Sequence, residues 1–470
     1  MNKKNLEKNS VRKEKDMLGE VAVPKNVYWG IHTQRTLQNF NISDRRFPWE
    51  FIRALAIVKK ACVQTNKELG NISEKKYTTI KAALTELLEK DRFKDQFPID
   101  VFQTGSGTQI NMNMNEVITN RANEILGFEK GRKEPIHPND DVNRSQSSND
   151  VIPTTMHIMT TLLIDQELLP ALHDLQKTLL KKIQQFQTIV KIGRTHLQDA
   201  VPIKLSTEFE VYNQQIILAQ KRLTQAQNEL LKLPIGGTAV GTGLNAPKGF
   251  GKKCAKNIAK MTNKEFTIND IQAESIASHN RLVTVSSVLK QLALTLLKLA
   301  NDIRLLGSGP RAGFGELLLP KNEPGSSIMP GKINPTQSEA IIQVCLQVIG
   351  NDTVITQSEA FGSMLDMNVT KPLIIWNIID AIKILSKGVL SFTKNCLEDL
   401  QVNKQRINQQ LETSLMIVTR LTPLIGYDKS AEIAQKAYET GKTIKEIIEQ
   451  KGIKFENQDL EDILDPKKMV

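Results

Sequence analysis

Between Leu282 and Leu306, apolar residues recur at alternating intervals of three and four: Leu282, Val285, Leu289, Leu292, Leu296, Leu299, Ile303 and Leu306. That spacing places all of them on one stripe of a helix, the seam along which long helices pack. At 1.5 Å per residue it predicts a helix of roughly 37 Å. The pattern recurs in Tyr212, Ile216, Ala219, Leu223, Ala226 and Leu230, and in Ile378, Ile382, Leu385, Val389, Phe392 and Cys396. It appears again in Leu168, Leu172, Leu175, Leu179, Ile183 and Phe186. Long seams are buried only against one another, so the chain is predicted to be mainly α, organised around a long central helix bundle. Aromatic residues make up only 5% of the chain, so Leu, Ile, Val and Ala must build the core, which suits helix-on-helix packing. Leu294 and Leu297 flank the 282–306 seam. A helix apolar on two faces is buried on two, and an oligomer of packed bundles would supply the second face.

The pattern changes on either side of this bundle. The first ~50 residues read as irregular, with loop and short extended structure over VAVPKNVYWGIHTQR (21–35). Helical spacing begins at Phe51 and is stopped by Gly70 and Asn71. Near the end, IGYDKSAEIAQKAYETGKTIKEIIEQKGI reads as two short helices separated by Gly441. The expected organisation is a mixed N-terminal domain over 1–144, the long-helix bundle over 145–403 and a small helical C-terminal domain over 404–470.

The net charge is +11 and the isoelectric point near 9.2. The lysines are dispersed among acids, and even the N-terminal cluster (Lys3, Lys4, Lys8, Arg12, Lys13, Lys15) is interrupted by Glu7, Glu14 and Asp16. This describes a solvated surface, and neither nucleic acid nor a membrane is an expected partner. Cys62, Cys254, Cys345 and Cys396 are far apart without CxxC spacing, as free thiols in a reducing compartment would be. No apolar run reaches the ~18 residues of a membrane span. The start lacks a signal-peptide h-region, and a cytoplasmic location is expected. No His/Cys/Glu pair stands at ligand spacing, so a zinc site is not expected.

Between the long helices lie loops of unusual composition: TGSGTQINMNMNEV (104–117), HPNDDVNRSQSSND (137–150), GRTHLQDA (193–200), GGTAVGTGLN (236–245) and GSSIMPGKINPTQSEA (325–340). Ordinary loops favour Lys and Glu. These instead offer neutral donors, which at loop–helix junctions suit the oriented binding of carboxylates. Taken singly, each has a plainer reading. SSND could simply cap a helix, HPND could be a turn, and His196 could be structural. GSSIMPGK is no phosphate loop, because five residues separate its glycines and Ile333 follows the lysine.

Together and in this order, the segments resemble the aspartase/fumarase superfamily, from LGEVAVPKNVYWGIHTQR to GYDKSAEIAQKA. Within it they are most similar to the class II fumarases. GSSIMPGK-x-NPTQ, HPND and SSND are the fumarase forms, whereas aspartases carry Ala at the position of Gly331, lack the Thr-Gln, and tend to NPND and STND. The resemblance implies hydration of fumarate to (S)-malate through an aci-carboxylate intermediate. It implies Ser326 as base, His196 as activator of water and Glu339 as partner of that histidine. Substrate contacts map to Ser106, Gly107, Thr108, Ser147, Ser148, Asn149, Thr195, Ser327, Lys332, Ile333 and Asn334. His137, Pro138, Asn139 and Asp140 map to a second dicarboxylate site. A homotetramer with active sites shared among three subunits, and no metal or organic cofactor, are also implied.

The chain departs from the family pattern in places. Thr370 stands where many relatives have an aromatic, GSMLDMN (362–368) is unusual, and Glu134 replaces an expected basic residue, which implies weaker binding at the second site. Two competing readings predict different behaviour. An aspartate ammonia-lyase would release ammonia from aspartate, against which Gly331, Thr336 and Gln337 argue. A non-enzymatic basic helical scaffold would need neither Ser326 nor His196 and would bind nucleic acid in a salt-sensitive way.

Overall fold

The computed structural model describes residues 10–455 and 459–470. It is mainly helical. Three of the four seams lie on single long helices, Leu205–Glu229, Asn280–Leu306 and Lys371–Phe392, the last continuing into a π turn, Thr393–Leu397. The fourth runs from a π turn, Ile164–Leu168, into the helix Leu169–Phe186. All eight residues of the 282–306 seam are buried, as are the seams of 212–230 and 378–396. By length and composition alone the Asn280–Leu306 helix could cross a membrane, but its seam is covered by protein.

One seam position departs. Ile183 is only half-buried, while the neighbouring Lys182 turns inward and its Nζ donates to the carbonyls of Glu398 (2.8 Å) and Leu400 (2.9 Å). Lys182 and Ile183 flank the seam on opposite sides at about equal angles, and the seam itself continues to the buried Phe186. Leu294 remains 52% exposed and Leu305 40%, so an apolar face is left uncovered within one chain.

The chain forms two compact units. The first takes residues up to Leu169, then Lys221–Gln291 and Gln347–Ile384; the second takes Pro170–Gln220, Leu292–Leu346 and the chain from Leu385 onward. These units follow packing, whereas the division at 144 and 403 follows segments of sequence. All five changes of unit fall inside helices, so no turn residues or linker composition mark them.

In the first unit an antiparallel hairpin, Val11–Asp16 with Gly19–Pro24, precedes the helix Ile31–Asn39. That helix corrects the expectation of loop through IHTQR. Its first turn lacks a side-chain cap of its own. Instead the buried Glu116 accepts from the backbone N–H of Gly30 (2.9 Å), His32 (2.8 Å) and Thr33 (3.0 Å) and from the Thr33 hydroxyl (2.6 Å). A carboxylate against the positive end of a helix satisfies its orphan donors, but here it comes from more than 80 residues away. The helix Trp49–Glu68 packs on Glu74–Glu89, Ser148–Leu163 and Phe250–Thr262. Where it meets the last of these, the Cys62 and Cys254 sulfurs lie 3.5 Å apart, both as buried free thiols.

The NMNMNEV string is also helix rather than loop, within Thr108–Ile125, and Asn111, Asn113, Asn115 and Glu116 are buried there. Asn113 donates to the Gln96 carbonyl (3.0 Å), and Asn120 donates to that of Tyr28 (2.7 Å). Amides with carbonyl partners can be buried without the usual desolvation penalty.

In the second unit the hairpin Val190–Thr195 with Gln198–Lys204 replaces the loop expected over GRTHLQDA. Toward the C-terminus, Tyr427–Thr440 and Ile444–Gln450 are the two short helices expected on either side of Gly441, which caps the first at φ +68°. They share an apolar cluster of Ile417, Leu421, Ile433, Ala437, Ile444, Ile447, Ile448, Ile463 and Leu464.

Candidate active site

In the first unit, two helix N-termini bring the hydroxyl-rich segments together. Thr108 opens one helix and Ser148 the other. Ser106 Oγ lies 2.8 Å from Thr108 Oγ1, which lies 2.9 Å from Ser148 Oγ. Beside them Asn149 Nδ2 donates to the Ala239 carbonyl at 2.8 Å. The result is a row of neutral hydroxyls and an amide at the start of two helices, suited to hold a carboxylate. SSND does cap its helix: Ser147 Oγ accepts from the Asn149 N–H and Asp150 Oδ1 from the Ser147 N–H. The cap leaves Ser148 free to face Thr108, so the structural and binding readings coexist.

Two features of this row were not readable from sequence. Asp150 is fully buried, and its other oxygen accepts from Gly236 (2.9 Å) and Thr238 (3.0 Å), pinning GGTAVGTG to the helix start. Burial pushes its carboxyl up to about 6, although these donors pull the other way. Beneath it the buried Lys59 donates to Asn143 and Gln146, and burial pushes its ammonium down to about 7.

The chain's departure at Thr370 belongs to this region. Gly105 presses on the 368–372 segment so closely that a Cβ there would meet the Val369 carbonyl oxygen at 1.3 Å. The Lys371 N–H donates to Gly105 at 3.1 Å. Thr370 Oγ1 donates to the Ser358 carbonyl at 2.8 Å, a bond an aromatic could not make. The departure is therefore absorbed in packing behind the Ser106 loop.

In the second unit the 325–335 loop closes on itself. Gly325 N–H donates to the Lys332 carbonyl (3.0 Å), and Asn334 Nδ2 donates to the Gly325 carbonyl (2.6 Å). Inside this loop Ser326 Oγ accepts two backbone N–H groups, from Ile328 (3.2 Å) and Met329 (2.9 Å). Two donors on one hydroxyl oxygen favour negative charge there. Ser327, Lys332 and Ile333 stand exposed around it. Gly331 sits at φ +81° with open space beside it, a backbone that glycine adopts without strain. Glu339 lies exposed in the first turn of the helix Thr336–Gly362.

Also in the second unit, Thr195 and His196 stand exposed at the tip of the 190–204 hairpin. His196 and Leu197 both have positive φ, +56° and +60°, which makes the tip a two-residue turn. Among the described residues of one chain, neither imidazole nitrogen of His196 has a hydrogen-bond partner, and the Glu339 carboxylate does not reach it.

HPND forms a π turn, Pro138–Val142, in which His137 Nδ1 accepts from the Asn139 (3.2 Å) and Asp140 (3.1 Å) N–H groups. The turn lines a cavity of about 540 Å³ shared by Lys76, Lys133, Glu134, His137, Asp140, Asp141 and Arg144. Lys76 is neutralised by Asp141 at 2.8 Å. Lys133, the sequence neighbour of Glu134, and Arg144, ten residues on, bring positive charge to the cavity that Glu134 lines.

Comparison with known proteins bears on what these elements belong to. A family model described as "Lyase" matches residues 19–350, and one described as "Fumarase C C-terminus" matches 417–470. The chain is 51% identical to a class II fumarate hydratase of Thermosynechococcus vestitus, over 94% of each chain. It is 49% identical to one of Rickettsia felis, over 98% of this chain and 99% of the relative. In structure it is similar to the class II fumarase of Schistosoma mansoni, with a TM-score of 0.94 at 37% identity over 98% and 99% of the two chains. It is similar also to a fumarate lyase:delta crystallin of Brucella melitensis bound to cobalt, with a TM-score of 0.94 at 40% identity and the same coverage. With this identity over nearly its whole length, the chain belongs to the class II fumarase family of lyases.

Proposed function

We propose that this chain catalyses the reversible hydration of fumarate to (S)-malate, as an enzyme of the tricarboxylic acid cycle in the cytoplasm. The observation that carries the reading is Ser326, whose Oγ accepts two backbone N–H groups inside a closed loop. A serine is a poor base at its ordinary pKa, and two fixed donors plus the nearby Lys332 favour the alkoxide. Run from malate, the alkoxide takes the C3 proton and the electron pair flows into the adjacent carboxylate, giving an aci-form dianion. The C2 hydroxyl then leaves as water with a proton delivered through His196, and fumarate remains.

The carboxylates are held by Ser106, Thr108, Ser148 and Asn149 on one side and by Thr195, Ser327, Lys332 and Asn334 on the other. Gly107, Ser147 and Ile333 shape the same surfaces. In this reading Glu339 orients His196 across a subunit boundary, and each active site takes loops from three subunits of a homotetramer. The uncovered apolar face at Leu294 and Leu305 supports that assembly. Residues 137–140 form the second dicarboxylate site. No metal or organic cofactor takes part in these steps.

Absorbance of fumarate formed from L-malate by the purified tetramer tests the proposal, with L-aspartate as control. A folded tetramer without activity would sink it. Ammonia from aspartate would move the chain to the related ammonia-lyases, which the glycine at 331 disfavours.

A further inference from the structure

The turn carrying His196 is strained. Both of its central residues are left-handed, and Leu197 has neither the missing Cβ of glycine nor the local hydrogen bonds of asparagine. Such a backbone persists only where its surroundings hold it. The strand leading into the turn is held in an unusual way. Lys191 and Arg194, both on Val190–Thr195, share one carboxylate, that of Glu316. Arg194 Nη1 lies 2.6 Å from Glu316 Oε1, and Lys191 Nζ lies 3.2 Å from Oε2. Neither contact has hydrogen-bond alignment, so the attraction is chiefly Coulombic, and Glu316 is completely buried, where charges are least screened.

Each cation has a second anchor. Lys191 Nζ donates to Glu208 (2.9 Å) and to the Ile192 carbonyl (2.9 Å). The Arg194 guanidinium lies 4.3 Å over the Phe314 ring. Glu316 itself is fixed by its backbone, which donates to Leu306 and accepts from Asn403, both at 2.9 Å. Two cations and two carboxylates balance, so removing Glu316 alone would leave the strand with an excess buried positive charge next to the turn.

We infer that Glu316 is a positioning residue for the reaction, holding the strained Thr195–His196 turn in place through Arg194 and Lys191. It touches no reacting atom. The inference rests on the hydratase reading for the role of His196, but not for the clamp itself.

The test uses the full-length tetramer carrying Glu316→Gln, which keeps the shape and removes the charge. With folded protein confirmed by circular dichroism, kcat/KM for malate should fall roughly tenfold or more, and the limb of its pH profile set by His196 should move by about half a unit or more. Adding Leu197→Asn, which tolerates the left-handed backbone, should recover at least about threefold of the loss. A merely structural role would lower the melting temperature and leave the pH profile and the rescue flat. Folded Glu316→Gln with unaltered kcat/KM and profile overturns the inference. If Glu316→Gln does not fold, Arg194→Gln, which removes one of the two charges facing Glu316 while Lys191 stays to pair with it, carries the same readouts. If the unmodified chain has no malate activity, the hydratase reading fails separately. Amide hydrogen exchange at residues 194–198 then decides: roughly tenfold faster exchange in the variant supports the clamp, and unchanged exchange overturns it.

Discussion

The segments 104–117 and 325–340 have nearly the same character on paper: glycine at the start, small hydroxyls, amides, and a carboxylate toward the end. In the fold they are opposites. The first becomes a largely buried helix in which Asn113 and Glu116 satisfy backbone groups elsewhere and Asn111 and Asn115 donate to the Asn143 side chain. The second stays largely exposed and holds its shape by a few bonds within itself. Polar composition marks both, yet past Ser106 and Thr108 the first uses its polar atoms to build the first unit, and the other keeps most of its own available. Burial, which decides whether a donor is spent inside the protein or offered to a ligand, depends on partners distant in sequence.

This contrast can be broken at its strongest point. Glu116→Ala would leave the N–H groups of Gly30, His32 and Thr33 buried without an acceptor. Stability should drop by about 3–5 kcal/mol, read from urea unfolding. A loss below ~1 kcal/mol would show that the carboxylate is no structural cap. Ser326→Ala should do the reverse, leaving stability unchanged while turnover falls by roughly a hundredfold or more, with His196→Asn behaving alike. Unchanged turnover in both would refute their roles.

A smaller effect concerns acid. His157, buried on the Ser148–Leu163 helix, has its imidazole pushed down to about 4 by burial, against an ordinary 6.5. A depressed folded value means that the unfolded chain takes the proton first. Its stabilising contribution is therefore complete above pH 6.5 and is lost as pH falls toward 4. Between pH 7 and 4.5 the loss should be about 2 kcal/mol, and that part should disappear in His157→Asn. An identical acid response in the variant would place the cause elsewhere. The smallest expected change is Gly331→Ala. Nothing crowds the position, so only the positive φ is penalised, by about 1 kcal/mol. We expect kcat/KM to fall a few-fold without loss of fold; a variant as active as the parent would show that the loop does not need this backbone during turnover.

Much of the molecule was legible before the fold was known. The three–four seams located the long helices, and their residues are buried where expected, except at Ile183, beside which Lys182 turns inward to two carbonyls far along the chain. Gly70 and Gly441 marked real helix ends. The segments of the candidate site were all visible as strings, because each carries a local composition that core helices lack. The helix Ile31–Asn39 was not, because its cap is Glu116, and periodicity over nine residues is weak without a start signal. The hairpin under His196 was hidden because its turn uses His and Leu in a conformation that sequence associates with glycine or asparagine.

By itself, then, the sequence determined that this chain is helical, where its long helices run and which strings make up the candidate site, since periodicity and local motifs are properties of neighbours along the chain. Only the tertiary structure decided which polar residues are spent in the core, that Asp150 ties two glycine- and serine-rich segments together, and that a buried carboxylate at Glu316 faces the two cations behind His196. Those are decisions of burial and charge between residues tens to more than a hundred positions apart, and no pattern of neighbours encodes them.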